Sequence, residues 1–143
     1  MAAINPYLIF NGNCEEAFNY YKSVFGVEFQ MISKFKDMPA EAGQECPTAD
    51  ENKIMHVSMA IGNKGDVLMG SDNGSGMGDV VVGNNFSISI TANSEEETKK
   101  LFDGLVAGGK TTMPLTPTFW SPLFGMLTDK FGINWMVSFD KQS

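Results

Sequence analysis

The chain has 143 residues with 17 acidic and ten basic side chains, and its formal charge is −7. All ten basic residues are lysines, so the chain lacks the clustered positive charge and the guanidinium forks that bind phosphates, and neither nucleic acid nor an anionic membrane is expected as a partner. Its apolar runs are too short to span a bilayer, and its length is enough to bury the core of one domain without a disulfide or a structural metal.

The first half of the chain predicts one helix among several strands. In chain order, the predicted elements are a strand, a helix, a strand, a long acidic loop and two further strands, over residues 4–10, 14–25, 27–35, 36–52, 53–61 and 66–69. Asn13 and Glu16 have the spacing of a capping box, which predicts Asn13 as the N-cap of the helix. Gly26 is suited to the left-handed conformation that ends a helix.

The strand predicted over residues 53–61 has two chemically different faces. One face carries Met55, Val57 and Met59, which suits a hydrophobic core. The other face carries His56 and Ser58 and suits the wall of a cavity. His56 is the only histidine, and its imidazole is a candidate general base or a ligand-orienting hydrogen-bond donor. The alternative is a half-buried strand histidine that bonds to a neighbouring backbone or hydroxyl group.

The second half of the chain repeats this order of elements. Segment 93–96 reads Asn-Ser-Glu-Glu and follows the Asn-Cys-Glu-Glu of segment 13–16 by 80 positions (93 minus 13). The predicted elements are a strand, a helix and three strands, over residues 86–91, 94–107, 110–113, 124–128 and 134–139. The inward stripe of this helix is expected to consist of Thr98, Leu101, Phe102 and Leu105. Trp135 alternates with apolar neighbours and is expected in the core.

The repeat predicts an α+β fold, with two tandem βαβββ modules forming a curved mixed sheet around a cleft. We expect a single domain over residues 1–143. Module one is expected over about residues 1–72, a connector over about 73–84 and module two over about 85–143. A chain built from two copies of one module tends to bind its ligand where the copies meet, so the cleft is the expected binding site.

Polar side chains on the first strand of each module are expected to face this cleft. They lie on the side opposite the apolar residues and comprise Asn5, Tyr7, Asn85, Ser87 and Ser89. Their amides and hydroxyls are suited to orient a small polar ligand. The alternative is that they hydrogen-bond to one another or to ordered water.

Two further groups of side chains are candidates for the ligand site. Phe119 and Trp120 lie in a loop rich in proline, which favours a ligand lid or a dimer contact over core packing. The chain has ten methionines, and Met136 lies on the last predicted strand. Thioethers on strands suit a plastic pocket for apolar ligands, and flexible core filling is the alternative.

Several motifs, taken with the repeat, resemble the PhnB-like branch of the vicinal oxygen chelate superfamily. The segments that carry this resemblance are FNGNCEEA at 10–17, IMH at 54–56, MPL at 113–115, TFW at 118–120 and FGMLTDKFGINW at 124–135. The superfamily has the glyoxalase/bleomycin resistance fold and includes glyoxalase I, extradiol dioxygenases and antibiotic-resistance proteins. The resemblance implies a homodimer of paired βαβββ modules, but this fold hosts both catalysts and proteins that only bind.

The enzymes of that superfamily hold a divalent metal with His or Gln on the first strand of each module and Glu on the last. Carried over by strand order, the first-strand positions fall on Asn5 and Asn85 and the last-strand positions fall on Met69 and Met136. Amide oxygens are weak ligands and thioethers select soft metals. The resemblance therefore implies that the positions of the superfamily's metal ligands carry residues that do not hold its metal. No cofactor is expected.

These observations predict a metal-free homodimer that binds a small, partly apolar or aromatic molecule, oriented by His56 and the asparagines and closed over by Trp120. A cytoplasmic location is expected because Cys14 and Cys46 form no C-x-x-C pair and the first residues show no signal-peptide pattern. Two alternatives stay open: a metal-dependent lyase, isomerase or dioxygenase of the same superfamily, and a purely structural dimer. Branch members are sometimes labelled methyltransferases, but no glycine-rich turn between a strand and a helix indicates a site for a methyl donor.

Overall fold

The computed structural model describes residues 2–37, 48–62, 65–75 and 78–140. Its helices and strands are β1 (Tyr7–Phe10), α1 (Cys14–Phe25), β2 (Phe29–Lys34), β3 (Ile54–Ala60), β4 (Val67–Asp72), β5 (Ile88–Ala92), α2 (Glu95–Val106), β6 (Lys110–Thr116), β7 (Leu123–Thr128) and β8 (Asn134–Phe139). The centre of the predicted acidic loop, with Cys46, lies outside the described residues. Each described α-helix has 12 residues, and neither is long and apolar enough to cross a bilayer.

The strands form two four-stranded mixed sheets with the same topology. Their orders are β1-β4-β3-β2 and β5-β8-β7-β6. In each sheet the first and last strands of the module pair in parallel, and the other neighbours pair antiparallel. The predicted duplication of a βαβββ module is therefore confirmed. The chain divides into two compact units, Met1–Val81 and Val82–Ser143.

In the first unit, α1 packs on one side of its sheet through an apolar stripe. The buried residues of α1 are Cys14, Ala17, Phe18 and Tyr21. The Phe18 ring lies directly over Gly70, where an added Cβ would come within 2.5 Å of that ring. The register pairs Gly70 with Leu8 and with Val57, which places both of these side chains on the helix side.

The second unit packs α2 on its sheet in the same way. The four residues expected to point inward from α2 are all buried, which confirms that prediction. Trp135 is fully buried, as expected for a core residue, and its indole Nε1 donates to Asp129 Oδ2 at 2.8 Å. Gly125 lies beneath Phe102, because a Cβ there would be 2.8 Å from the Phe102 ring.

The start of α1 differs from the sequence prediction. Asn13 occupies the N-cap position as predicted, but its side chain makes no capping hydrogen bond, so the predicted capping-box contact is wrong. Asp72, at the end of β4, supplies the carboxylate instead, and its Oδ1 accepts from the N–H groups of Gly12 and Cys14, each at 2.9 Å. In α2 the N-cap is Ser94, whose Oγ accepts from Glu97 N–H at 3.0 Å. The first residues of the two helices are Cys14 and Glu95. The offset between the repeats is therefore one residue longer than the predicted 80.

Candidate functional site

Each sheet has a side that faces away from the helix of its own unit, which we call its far face. Gly70 and Gly125 contact α1 and α2 respectively, so the residues that alternate with them belong to the far faces. On the first sheet, cross-strand pairing aligns one far-face row as Tyr7, Met69, Ser58 and Met31. On the second sheet, the corresponding row is Ser89, Met136, Met126 and Met113. Both far faces thus combine thioethers with hydroxyl groups.

His56 lies on the far face of the first sheet, next to this row. Its ring centroid is 5.8 Å from that of Tyr7, at an interplanar angle of 35°. The register pairs His56 with Ser33 of β2, and Ser58 with Met69. His56 is half-buried and Ser58 is buried. The structure therefore brings together three of the predicted site residues, Tyr7, His56 and Ser58.

Asn5 lies outside the predicted strand position. β1 begins at Tyr7, so Asn5 precedes it. Its side-chain oxygen accepts a hydrogen bond from Val67 N–H at 3.3 Å, at the start of β4. This amide oxygen therefore helps to hold the edge of the sheet. Asn5 stays a predicted ligand contact.

The predicted residues of the second unit are spread over two locations. Asn85 and Ser87 precede β5, and Ser87 lines a depression of about 720 Å³ together with Met126. Met136 is half-buried in the far-face row, where it pairs with Met126 and with Ser89. The depression therefore reaches the methionine row through Met126. Asn85 is exposed and does not line the depression.

The aromatic residues of the proline-rich segment form a chain of edge contacts. Phe119 is 97% exposed and its ring meets that of Trp120 in a T-shaped contact, with centroids 4.7 Å apart. Trp120 is 54% exposed and contacts Phe124 at 5.5 Å. Phe124 is buried on β7, in the strand predicted from residue 124, and lies two positions before Met126. Trp120 thus extends an apolar surface outward from β7.

A second depression, of about 480 Å³, lies in the first unit near Lys53 and Ser75. The Asp50 carboxylate accepts from Ser75 N–H at 3.0 Å and from Ser75 Oγ at 2.9 Å, and Lys53 Nζ lies 3.0 Å from Asp50 Oδ1. The hydrogen bond from Lys53 and the backbone bond from Ser75 hold the pKa of the Asp50 carboxyl below its ordinary value. These contacts tie the loop together and leave the lysine already paired.

Cys14 does not have the properties of a nucleophile. The thiol is free and buried at the start of α1. Burial raises its pKa well above the ordinary value, and the carboxylates of Asp72 and Glu15 raise it further. A thiol that stays protonated is neither a nucleophile nor a metal ligand at neutral pH.

The donor set at the predicted metal positions does not fit a divalent cation. The two last-strand positions carry the thioethers of Met69 and Met136, where the superfamily enzymes have carboxylates. Their direct strand partners in β1 and β5 are Tyr7 and Ser89. Within residues 2–37, 48–62, 65–75 and 78–140, no three His, Cys, Asp or Glu side chains are grouped closely enough to hold a metal. Hard cations need several oxygen ligands, and thioethers and neutral hydroxyls are poor substitutes.

Sequence reasoning missed several residues on the far faces. Ser33 and Met31 lie in the strand predicted over residues 27–35. The sequence did not show which strand pairs with it. Met113 and Met126 were missed for the same reason. Direct cross-strand neighbours become known only from the register.

Comparisons with known proteins identify close relatives. The family model described as 3-demethylubiquinone-9 3-methyltransferase matches residues 2–138. Protein YjdN of Escherichia coli strain K12 is 34% identical over 145 residues, which cover 97% of this chain and 96% of YjdN. The crystal structure of PA1353 from Pseudomonas aeruginosa is 39% identical, with a TM-score of 0.85 over 99% of this chain and 100% of that one.

Two further solved structures describe the family and the fold. A Bacillus cereus protein described as a putative 3-demethylubiquinone-9 3-methyltransferase, PhnB protein, is 28% identical, with a TM-score of 0.72 over 96% of this chain and 99% of that one. A glyoxylase/bleomycin resistance protein/dioxygenase domain from Frankia is 11% identical, with a TM-score of 0.66 over 99% of this chain and 98% of that one. At that identity the match shows the shared fold alone.

Proposed function

This chain belongs to the 3-demethylubiquinone-9 3-methyltransferase family of PhnB-like proteins, and on that premise we propose that it binds a small, partly apolar molecule without a metal. The site lies on the far face of the first sheet. The observation that carries this proposal is the contact between the rings of Tyr7 and His56. Met69, the strand partner of Tyr7, places a thioether beside them. A few polar groups beside apolar thioethers are typical of small-molecule sites.

The chemistry of this face supports binding of a molecule with one polar end. His56 and Tyr7 supply hydrogen-bonding groups, while Met69 and Met31 supply a polarisable wall that adapts to varied shapes. Tyr7 is 45% exposed and Met31 is 48% exposed, so a ligand has access to both. His56 orients the ligand and is the group that would serve as general base if a reaction occurs on this face.

The topology supports binding in preference to methyl transfer. One common class of nucleotide-cofactor site lies where a parallel, doubly wound sheet meets a glycine-rich turn at a helix start. Among the residues that the structure describes, each sheet is mixed and has one parallel pair, at its edge. At the start of α1, the backbone N–H groups of Gly12 and Cys14 already donate to Asp72. The N-terminus of α1 is therefore already bound by the Asp72 carboxylate of the chain itself.

The proposal is tested by identifying what the protein carries. The protein is purified under native conditions, denatured and extracted, and the extract is compared by mass spectrometry with that of His56→Ala prepared in parallel. We expect a small organic molecule that is enriched with the native protein and reduced with the variant. Equal extracts from both proteins would count against a site at His56.

We also propose that the protein is a homodimer in the cytoplasm. The exposed rings of Phe119 and Trp120 support an interface, because aromatic residues are enriched where proteins associate. Light scattering on the native protein and on Trp120→Ala tests the assembly, and a monomeric native protein would contradict it. Fractionation of cells that express the protein tests its location.

A further inference from the structure

The hydroxyl of Ser33 stands out among the buried polar groups. Within the part of the chain that the structure describes, Ser33 Oγ is the one buried side-chain oxygen that has no hydrogen-bond partner. A buried hydroxyl without a partner costs free energy, so native proteins nearly always satisfy such groups through protein, water or ligand. Nothing in the sequence distinguishes this serine from the others in predicted strands.

The position of Ser33 connects it to the site proposed above. Ser33 pairs directly with His56 across the β2–β3 ladder, so both side chains stand on the far face of the first sheet. Their Cβ atoms are therefore about 5 Å apart, within reach of a single ligand atom. The His56 ring in turn contacts Tyr7. Ser33 thus adjoins the polar end of the site.

We propose that Ser33 is a ligand-binding residue whose hydroxyl, with His56, hydrogen-bonds an oxygen atom of the bound molecule. This inference rests on the proposed function and specifies the class of ligand. The ligand is an aromatic or apolar molecule that carries a hydroxyl or carbonyl group, because a serine hydroxyl both donates and accepts while the neighbouring thioethers contact an apolar body.

The test uses two probes that differ only at the polar group, 2-naphthol and 2-methylnaphthalene. Burial alone favours the methyl compound, since it is the more apolar of the two. We therefore expect the native protein to bind 2-naphthol about tenfold more tightly, as one well-formed hydrogen bond to a buried group allows. Fluorescence titration measures both affinities. We expect Ser33→Ala to reduce this preference to less than about threefold, and Ser33→Thr, which keeps a hydroxyl, to retain it.

Ser23→Ala is the matched control, because Ser23 is exposed on α1 and its hydroxyl donates to Tyr20 O. This variant should keep the native preference. The melting temperature provides a second measurement: Ser33→Ala should match or exceed the native protein, since it removes a buried hydroxyl that has no protein partner. A fall of more than about 5 °C would assign the hydroxyl to the fold and overturn the proposal.

The remaining outcomes separate this inference from the function on which it rests. If both probes bind but the native protein does not prefer 2-naphthol, the inference fails and the proposed function stands. The same conclusion follows if Ser33→Ala keeps the full preference. If neither probe binds, the proposed function fails and the inference fails with it.

Discussion

The Asp72 carboxylate accepts a hydrogen bond from the backbone N–H of Cys14 at 2.9 Å, across 58 positions of the chain. Its other oxygen accepts from Ile54 N–H at 2.8 Å. One buried side chain therefore joins the start of α1 to β3 and β4. A negative charge at a helix N-terminus also interacts favourably with the helix dipole. Asp72 accepts hydrogen bonds from backbone N–H groups at the start of α1, as Ser94 does at the start of α2. Asp72 does so from a distant strand, whereas Ser94 directly precedes its helix.

Replacing Asp72 should destabilise the first unit. Asp72→Ala leaves the N–H groups of Gly12, Cys14 and Ile54 without an acceptor, and we expect a loss of about 2–4 kcal/mol in the free energy of unfolding. Urea titration measures this loss. Asp103→Ala, on the exposed side of α2, is the control and should change stability by less than about 0.5 kcal/mol. Similar stabilities for the two variants would refute the capping role.

Gly70→Ala should be costly because its site is filled. The new methyl group would lie 2.5 Å from the Phe18 ring and 2.9 Å from the carbonyl oxygen of Leu8. Relief requires movement of α1 from the sheet, and overpacking of this kind costs about 1–3 kcal/mol. Gly83→Ala is the control, since a Cβ there meets only Asn85 Oδ1 at 3.6 Å. The midpoint of thermal unfolding should fall for Gly70→Ala and stay unchanged for Gly83→Ala.

His56→Ala should weaken ligand binding and leave the fold intact. With 2-naphthol as the probe, we expect the affinity to fall about fivefold to tenfold, as loss of one hydrogen bond implies. The melting temperature should change little, because the imidazole is half-buried and has the Tyr7 ring as its observed aromatic contact. Asn19→Ala, exposed on α1, is the control. An unchanged affinity in His56→Ala would reduce His56 to a scaffold residue.

Asp50 should make stability dependent on acid pH. Its pKa is lower in the folded protein than the ordinary value of 3.8, chiefly because of Lys53. The stabilisation is therefore fully present above about pH 4 and disappears as the pH falls through the lowered pKa. We expect Asp50→Asn to be less stable than the native protein at pH 6, with the difference shrinking as the pH falls below about 4, as thermal unfolding at each pH would show. A difference that stays constant with pH would contradict this assignment.

Chelator-treated protein should not take up divalent metal cations. The far-face rows offer thioethers and hydroxyls where carboxylates would be needed, so we expect no stoichiometric binding of Mn²⁺, Zn²⁺ or Ni²⁺ in calorimetric titrations. Tight binding at one ion per chain would overturn the metal-free proposal. It would favour instead a metal-dependent lyase, isomerase or dioxygenase.

Local sequence patterns were enough to predict the duplicated βαβββ order, the stop of α1 at Gly26 and the buried face of α2. These features depend on local periodicity and on the backbone freedom of single residues. Gly26 takes φ 66° and ψ 37°, the left-handed conformation predicted for it. Trp135 was predicted in the core from its alternating apolar neighbours alone, and it is fully buried.

The contacts between side chains on neighbouring strands, in contrast, follow from the folded sheet. Asn13 has the sequence of an N-cap, yet Asp72 supplies the acceptor because β4 ends beside the start of α1. The pairing of Ser33 with His56 likewise depends on the register of β2 against β3. Register is set by contacts between residues far apart in the chain, and a shift of one residue would turn each side chain to the opposite face. The predicted site residues were therefore recognisable by type, while their neighbours required the folded sheet.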